Sequence, residues 1–245
     1  MGDAAWDGAT GDAWAARLGV PRVEVHDALP STNDRAHALA VAGAPAGTVV
    51  LAHAQHAGRG RQGRTWASAA GAGVWASVLE RPRDAAAAGV LALRVGLALA
   101  AQLAPLAAPA PLTLKWPNDV FLGDGKLAGI LIEARWQDGL LQHAVIGVGI
   151  NLAPPADQPA AAALGATRAG EAFTALVRAA RSAAAATGPL DDGERAAWAA
   201  RDRTIGRLIR APGQGTVVGV AADGGLQVRG SDGLATFHAG SLVLA

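Results

Sequence analysis

Apolar residues recur at helical spacing in some segments of the chain and form short β-branched runs in others. The helical spacing predicts helices over 36–42, 85–103, 170–186 and 191–200. Because Pro105 cannot continue a helix, we expect the second of these helices to stop before it. Ser31 and Thr32 are good acceptors for backbone N–H groups, and Asp34 lies three residues after Ser31. This pattern predicts an N-cap for the first helix.

Short runs rich in valine, isoleucine and leucine predict strands between these helices. The predicted strands cover 23–25, 48–54, 74–79, 112–116, 120–122, 127–134 and 140–150. Glycine-containing turns at 123–125 and 138–139 predict hairpins on either side of the sixth strand. Hairpins with helices between them favour an α+β fold over a regular βαβ array.

The character of the sequence changes near residue 203, which divides the chain into three parts. Residues 1–22 form a leader, either loose or a single short helix, and residues 23–203 form a large domain. Over 204–245, short β-rich pieces alternate with glycine pairs such as Gly224-Gly225. That pattern suits a small antiparallel barrel of about 40 residues.

Composition and charge exclude several classes of protein. The 245 residues include no cysteine, which removes disulfides, thiolate metal sites and thiol nucleophiles. Hydrophobic residues make up 51% and the net charge is +1, so the chain is globular and less basic than a general nucleic-acid binder. The N-terminus does not look like a signal peptide, and Arg94 interrupts the most apolar stretch. We therefore expect a cytoplasmic protein that crosses no membrane. The six histidines show no metal-ligand spacing.

The sharpest local feature is the segment 58–66, GRGRQGRTW, called the arginine loop below. Arg59, Arg61 and Arg64 alternate with glycines, which let backbone N–H groups turn around an anion. Because guanidinium groups match carboxylate and phosphate oxygens, the loop suits closure over a small polyanion. A solvated flexible loop or a nonspecific RNA contact would explain the same residues. The segment also fits GxGxxG, but a strand follows instead of a helix, which argues against dinucleotide binding.

Two further motifs place polar residues at strand ends. In the segment from Lys115 to Asp119, KWPND, Asn118 can contact adenine or ribose, and Asp119 can orient Mg²⁺ near phosphates. An ordinary Pro-Asn-Asp turn is the alternative. Lys126 opens an apolar strand, where it either neutralises a transferring phosphate or is simply solvated. Gly129 would let a flat ligand lie on that strand.

Glycine occurs twice in the β-branched run that ends at Asn151. Because Gly147 and Gly149 weaken a strand, we expect another group to approach it closely there. Asn151 itself either donates to phosphate or ribose oxygens or serves only as a turn former.

Taken in order, these motifs resemble the catalytic domain of biotin protein ligases. The resemblance covers about 23–151 and rests on Ser31-Thr-Asn33, the arginine loop, KWPND, the Lys126 motif KLAGIL and the GVGIN run that ends at Asn151. It implies a mixed β-sheet with flanking helices, as in class II aminoacyl-tRNA synthetases, and a small C-terminal SH3-like barrel. About 22 residues precede the pattern, so we expect a short form without an N-terminal DNA-binding domain and without DNA binding.

The resemblance also implies which residues bind the substrates. Those implied to hold biotin are Ser31, Thr32, Asn33, Gln55, Arg59, Gly60, Arg61, Lys126, Gly129, Gly147 and Gly149. Those implied to hold ATP or the adenylate are Arg59, Arg61, Arg64, Trp66, Lys115, Asn118, Asp119, Lys126 and Asn151. The catalytic charges are implied to be Arg59, Arg61 and Lys126. Mg²⁺ would be carried by the ATP phosphates, with Asp119 as a candidate ligand, and Trp66 would either stack on adenine or pack under the loop.

The activity implied is the AMP-forming ligation of biotin. Biotin's carboxylate would attack the α-phosphorus of ATP, and a lysine of a biotin carboxyl carrier protein would then displace AMP. A lipoate-protein ligase of the same superfamily is the nearest alternative, although that family lacks this loop together with KWPND. The second alternative is a glycine–arginine RNA-binding module. Such a module would need clustered aromatic residues for base stacking, and the chain has no tyrosine and only three phenylalanines, which argues against it.

One position departs from the family pattern. The family often has a Gly-Glu pair before its last strand, and this chain has Gly240-Ser241 there. That difference leaves open whether a carboxylate links the C-terminal part to the site. The chain is expected to be a monomer or a homodimer.

Overall fold

A seven-stranded sheet lies at the centre of the large domain in the computed structural model, which describes residues 4–82 and 84–245. Its strands are β1 (Arg22–Leu29), β2 (Thr48–Gln55), β3 (Gly73–Glu80), β4 (Leu112–Lys115), β5 (Asp119–Leu122), β6 (Gly125–Gln137) and β7 (Leu140–Asn151). Their order across the sheet is β1-β2-β3-β7-β6-β5-β4. β1 and β2 pair in parallel because a helix crosses over between them, and the other pairs are antiparallel. The sheet is therefore mixed, as the resemblance implies.

Helices flank this sheet in the described parts of the chain. They are α1 (Gly11–Leu18), α2 (Thr32–Val41), α3 (Ala85–Ala107), α4 (Ala169–Ala185) and α5 (Asp192–Ala199). The prediction that α3 stops before Pro105 is wrong, because the helix continues through the proline to Ala107. Leu103 and Ala107 in its last turns are buried. Their packing outweighs the one backbone hydrogen bond that proline cannot donate.

The central helix α3 is long and apolar enough to cross a membrane by length and composition alone, with a mean hydropathy of 1.8 over 18 residues. Within the fold, 56% of that stretch is buried, and α3 packs against α4 and the sheet. Arg94 in its middle donates to the carboxylate of Glu194 and to the carbonyls of Gly188 and Pro189. α3 is therefore a core helix, and its Arg94 fixes the start of α5 through Glu194.

The segment before β1 packs onto the large domain. Trp6 and Trp14 are buried, and their rings lie 5.5 Å and 5.0 Å from the ring of Phe173 in α4. Trp14 also donates its indole N–H to the carbonyl of Trp6 at 2.9 Å. Of the two predicted alternatives, the structure has the single short helix, α1, and the two buried indoles fix this segment against α4. Residues 1–3 of the predicted leader lie outside the described residues.

The C-terminal part forms a second, antiparallel sheet. Its strands are β8 (Leu208–Ala211), β9 (Gly215–Val220), β10 (Leu226–Gly230), β11 (Gly233–Phe237) and β12 (Val243–Leu244), in the order β11-β10-β9-β8-β12. Within the described residues the outer strands β11 and β12 do not pair with each other, so the closed barrel stays a prediction.

The two sheets share one hydrophobic core. Ile209, Val217 and Leu226 of the small sheet are fully buried or nearly so, and they belong to the same cluster as the core of the large domain. Trp116, the tryptophan of KWPND, donates its indole N–H to the carbonyl of Gly224 at 3.0 Å. The boundary predicted near residue 203 therefore separates two sheets whose cores are continuous.

Candidate functional site

A cavity of about 160 Å³ opens where the arginine loop meets the start of α2 and the strands β6 and β7. Most residues that the sequence motifs singled out line this cavity. They are Ser31, Thr32, Asn33, Gln55, Arg59, Gly60, Arg61, Arg64, Trp66, Asn118, Lys126, Gly129, Gly147 and Gly149. Lys115, Asp119 and Asn151 do not line it, although Asn151 borders an adjoining small pocket together with Trp66 and Lys126.

Four polar residues form a hydrogen-bonded cluster beside the start of α2, called the head pocket below: Thr32, Asn33 and Gln55, which line the cavity, and Ser77, which contacts them from behind. The side-chain carbonyl of Gln55 accepts from the backbone N–H of Thr32 at 2.8 Å and from its hydroxyl at 3.1 Å. The hydroxyl oxygen of Ser77 lies 2.7 Å from Thr32 Oγ1 and 2.5 Å from Asn33 Oδ1. Because Thr32, Asn33 and Ser77 are buried, these bonds hold the polar atoms of the pocket in one arrangement.

The predicted N-cap bond at the start of α2 is wrong. The helix does begin directly after Ser31, but the Ser31 hydroxyl makes no capping hydrogen bond. Gln55 of β2 instead accepts from the backbone N–H of Thr32, which has no partner within the helix, and Asp34 bonds to Arg59. As a result, Ser31 lines the cavity with a hydroxyl that is not committed to the helix.

The arginine loop folds as a tight hairpin over the cavity. The N–H of Gly60 donates to the carbonyl of Arg64 at 2.7 Å, and the N–H of Trp66 donates to the carbonyl of Gly58 at 2.9 Å. Gln62 at the tip has a φ of 58°, in the left-handed region. A side chain at Gly58 would come 2.5 Å from the carbonyl oxygen of Trp66, so glycine is required to close the base of this hairpin.

Arg59 and Arg61 differ in their partners. The guanidinium of Arg59 binds Asp34 through two hydrogen bonds of 2.8 Å and 2.7 Å and lies 3.2 Å from Glu133 Oε2. The hydrogen bonds to Asp34 raise the pKa of Arg59 above its usual value, and they hold the pKa of Asp34 below its own. Arg61 forms no ion pair among the described residues, and burial lowers its pKa. Arg59 therefore anchors the loop, while Arg61 presents a charge to the cavity.

Trp66 lies flat on the sheet beneath the loop. Gly129 of β6 and Gly149 of β7 are cross-strand partners. A Cβ atom at Gly129 would come 2.9 Å from the Trp66 ring, and one at Gly149 would overlap its Nε1 atom. The ammonium of Lys126 lies 4.9 Å from the centre of the same ring, and Trp75 meets its edge. Trp66 thus packs under the loop against the two glycines, and its stacking on adenine stays a prediction.

The cations near KWPND are balanced by one carboxylate. Asp119 Oδ1 lies 2.7 Å from Lys126 Nζ. Lys115 faces Asp119 across β4 and β5, and burial lowers the pKa of this lysine. The described residues contain no group of three histidine or acidic side chains that could hold a metal ion. A single carboxylate already paired with an ammonium does not fit a resident Mg²⁺.

Asn118 and Asn151 both bind the backbone of neighbouring segments. Asn118 donates its amide to the carbonyl of Ile130 at 2.7 Å. Asn151 donates to the carbonyls of Lys126 and Ala162 at 3.1 Å and 3.2 Å. The Oδ1 atom of Asn151 is buried and has no hydrogen-bond partner among the described residues. Both side chains therefore fix the position of β6, and Asn151 keeps one acceptor for a further donor.

Sequence motifs missed several polar residues that support the cavity. Ser68 accepts from the Gln55 amide, Ser77 joins the head pocket, and Glu133 binds both Arg59 and Asn33. In the sequence, Glu133 ends the apolar run that Lys126 opens, and a carboxylate there indicates that a cationic or donor partner lies nearby. Ser77 carries no comparable signal, because a serine in a buried strand is recognised only when its neighbours are known.

The sequence matches the biotin/lipoate A/B protein ligase family over residues 25–151. The biotin–[acetyl-CoA-carboxylase] ligase of Mycobacterium tuberculosis is 39% identical over 207 residues, which cover 79% of this chain and 76% of that protein. The bifunctional ligase/repressor BirA of Bacillus subtilis is 41% identical over 138 residues, which cover 52% of this chain but 39% of that protein. The chain belongs to the biotin/lipoate A/B protein ligase family, and it spans less than half the length of the bifunctional relative.

Solved structures share the fold. The biotin protein ligase from Aquifex aeolicus in complex with biotin and ATP superposes with a TM-score of 0.71 at 23% identity, covering 91% of this chain and 98% of that one. The biotin protein ligase from Leishmania major in complex with biotinyl-5-AMP gives a TM-score of 0.60 at 27% identity, covering 89% and 99%. This likeness confirms the mixed sheet with flanking helices.

Proposed function

We propose that the protein is a biotin protein ligase, which activates biotin with ATP and transfers it to a lysine of a carrier protein. The observation that carries this proposal is the single cavity in which the head pocket, the arginine loop and Lys126 meet. Activation of a carboxylic acid needs these parts together: a polar pocket for the acid, cations beside the reacting groups, and a cover against water. The names of the relatives support biotin as the acid.

The head pocket suits the ureido ring of biotin. A cyclic urea has two N–H donors and one carbonyl acceptor, and it needs partners of both kinds. We assign the hydroxyls of Ser31 and Thr32 and the amide of Gln55 to this ring. The amide groups of Asn33 and Gln55 are both bonded within the protein, but Asn33 is buried whereas Gln55 is partly exposed. Asn33 therefore shapes the pocket, and Gln55 is the amide placed to exchange a hydrogen bond with the ring. Gly147 belongs to the same wall, because a Cβ atom there would overlap Asn33 Oδ1.

The cations suit the first reaction step. Biotin's carboxylate attacks the α-phosphorus of ATP, and pyrophosphate leaves. We assign Arg61 and Lys126 to the charge that develops on the carboxylate and phosphate oxygens, with Arg59 and Gly60 holding the loop in place over them. Lys115, Asn118, Asn151, Arg64 and Trp66 are assigned to the nucleotide side. Because Asp119 pairs with Lys126, Mg²⁺ is expected to enter as part of the MgATP substrate.

The second step needs no nucleophile from the enzyme. The amine of a carrier lysine attacks the carbonyl carbon of biotinyl-5′-AMP, AMP leaves, and an amide forms. A chain without cysteine is compatible with both steps. The partner is proposed to be a biotin carboxyl carrier protein, in keeping with the names of the relatives.

Other properties of the protein stay proposals. We propose a cytoplasmic location and a small sheet that curls as an SH3-like barrel with its opening between β11 and β12. The absence of DNA binding and the choice between monomer and homodimer stay predictions. The RNA-binding alternative gains no support, because Trp66 and Trp75 lie in and under the cavity instead of on an exposed stacking surface.

The experiment that tests the whole activity is transfer of labelled biotin to a purified carrier domain with ATP and Mg²⁺. The expected result is one label per carrier, lost when the acceptor lysine of the carrier is replaced by arginine. Label that stays on a carrier without that lysine, or no label with a folded enzyme and carrier, would overturn the proposal.

A further inference from the structure

Glu133 is a point where three different parts of the site converge. It lies in β6, between the head pocket and the arginine loop. Its Oε2 atom accepts from the Asn33 amide at 2.7 Å and lies 3.2 Å from the Arg59 guanidinium. The same oxygen is 3.6 Å from Nε2 of His37 in α2. One carboxylate thus contacts the head pocket, the loop and the helix behind them.

The orientation of Asn33 depends on this carboxylate. Because the Asn33 amide group donates to Glu133, its carbonyl oxygen must face Ser77, which donates to it. Gly147 lies directly against the Asn33 side chain. A Cβ atom at this position would overlap Oδ1, so glycine is what allows Asn33 this orientation. Ser77 has one hydroxyl proton, and when it gives that proton to Asn33 its oxygen faces Thr32 Oγ1 at 2.7 Å as an acceptor. Glu133 therefore sets, through Asn33, which atoms of the head pocket donate and which accept.

Two histidines lie behind Glu133. His37 Nδ1 lies 2.9 Å from His143 Nε2, so one of these rings donates to the other. Nε2 of His37 is buried and makes no hydrogen bond among the described residues, and its 3.6 Å separation from Glu133 Oε2 is too long for one. Burial lowers the pKa of both histidines, so the bonds that orient Glu133 are those with Asn33 and Arg59.

We propose that Glu133 is a positioning residue that couples the head pocket to the arginine loop. Through Asn33 it sets the polar groups that receive the acid, and through Arg59 it holds the loop that covers the reacting carboxylate. Asp34 shares the hold on Arg59 but does not contact the head pocket residues Asn33 and Ser77 by hydrogen bonds in the described chain. The effect of Glu133 on catalysis rests on the proposed function. Its contact with Arg59, which holds the arginine loop, does not depend on what the site binds.

The test compares Glu133→Gln with the wild-type protein in two assays. The first is limited cleavage by trypsin after Arg61 and Arg64, without substrates. The Gln side chain keeps an acceptor for Asn33 but loses the charge that holds Arg59, so cleavage is expected to rise by about threefold to fivefold, the range of a partly exposed ion pair. The second is pyrophosphate exchange, in which KM for biotin is expected to rise by a similar factor while KM for ATP and kcat change less.

Two control variants separate an effect of Glu133 on the orientation of the site from an effect on the stability of the whole fold. Glu194→Gln removes the partner of Arg94, far from the cavity, and should lower the melting temperature without changing loop cleavage or KM. A double variant with Arg59→Lys should be no worse than the more severe single variant, because each change breaks the same link. If Glu133→Gln does not fold, Glu133→Asp gives the same test, since the shorter side chain keeps the charge but withdraws the carboxylate from both Asn33 and Arg59.

The outcomes are distinct. Unchanged cleavage and unchanged KM in a folded Glu133→Gln protein, or fully additive effects in the double variant, would overturn the coupling. Absence of biotin-dependent exchange in the wild-type protein would contradict the proposed function instead, and the trypsin assay would still decide whether Glu133 holds the loop.

Discussion

A side chain at Gly149 would overlap Nε1 of Trp66, so the indole and the glycine fit together as one surface. This contact places the base of the arginine loop on the sheet. Gly149→Ala is therefore expected to push the indole off β7 and to lower ATP–pyrophosphate exchange, with an overpacking cost of roughly 1–3 kcal/mol in stability. Exchange rates and thermal melting measure the two effects.

A matched control for that variant is Gly89→Ala. Gly89 lies in α3 with no atom within 4 Å of an added Cβ. Alanine favours the helix over glycine by up to about 1 kcal/mol, so this variant should be slightly more stable and fully active. An active Gly149→Ala protein with the melting behaviour of the control would show that Trp66 does not depend on the glycine.

Lys126 is expected to act in the first reaction step and to matter little for folding. Its ion pair with Asp119 is partly exposed and contributes about 1 kcal/mol or less. Removing a donor that stabilises charge in a transition state typically slows a reaction by about 10²–10³-fold. Lys126→Ala should therefore lose most pyrophosphate exchange while its melting temperature changes little. A large fall in melting temperature with near-normal exchange would give this lysine a structural role instead.

The two arginines that start the loop should behave differently when each is replaced. Arg61→Ala removes a charge that forms no ion pair among the described residues, so we expect a large loss of exchange with unchanged stability. The variant also removes one trypsin site, so loop opening is read from cleavage after Arg64, which should not rise. Arg59→Ala leaves Asp34 and Glu133 without their partner, so cleavage of the loop by trypsin should also rise. Equal effects of the two variants on cleavage would contradict this division of roles.

Glu80 gives the fold a pH dependence that is separate from the site. It is 7% exposed, its nearest cation is Arg181 at 3.6 Å, and burial raises its pKa to about 7. The folded chain therefore binds this proton more tightly than the unfolded chain, in which the pKa is near 4.5. Stability from this group is fully present below about pH 4.5 and is lost as the pH rises towards 7, by roughly 1–3 kcal/mol.

Glu80→Gln should remove this loss, so its advantage over the wild-type protein should grow between pH 5 and about 7. Denaturant unfolding at several pH values measures it. Glu194 is the control of opposite sign, because its hydrogen bond from Arg94 holds the pKa of Glu194 below its usual value. Glu194→Gln should cost more stability at neutral pH than at low pH. A Glu80 variant that follows the wild-type curve throughout would mean that this carboxyl stays ionised in the fold.

The sequence predicted those features of the fold that arise from short stretches of chain. The hairpins at 123–125 and 138–139 depend on local turn residues, and both connect the strands as expected. The path of α3 through Pro105 was not predictable in this way, because the packing of Leu103 and Ala107 decides it. The same holds for the N-terminal tryptophans, whose partner Phe173 lies far along the chain.

In the site, too, local patterns were predictable and contacts between distant residues were not. The order of the motifs was enough to predict the residues of one site, and most of them line the same cavity. It did not reveal what holds them, because Arg59 finds its carboxylates at Asp34 and Glu133, 25 and 74 positions away. The cap at the start of α2 was missed for a related reason. Gln55 reaches the N–H of Thr32 from another strand and takes the role that a local pattern gives to Ser31.

ATP–pyrophosphate exchange with the purified protein and Mg²⁺, comparing biotin with lipoate, shows whether this site forms an adenylate and with which acid. We expect exchange that depends on biotin and is absent with lipoate, because the head pocket presents donors and acceptors suited to a ureido ring. Exchange with lipoate alone would assign the protein to the other branch of the family. No exchange with either acid, from a folded sample, would mean that the arginine loop does not cover an adenylation site.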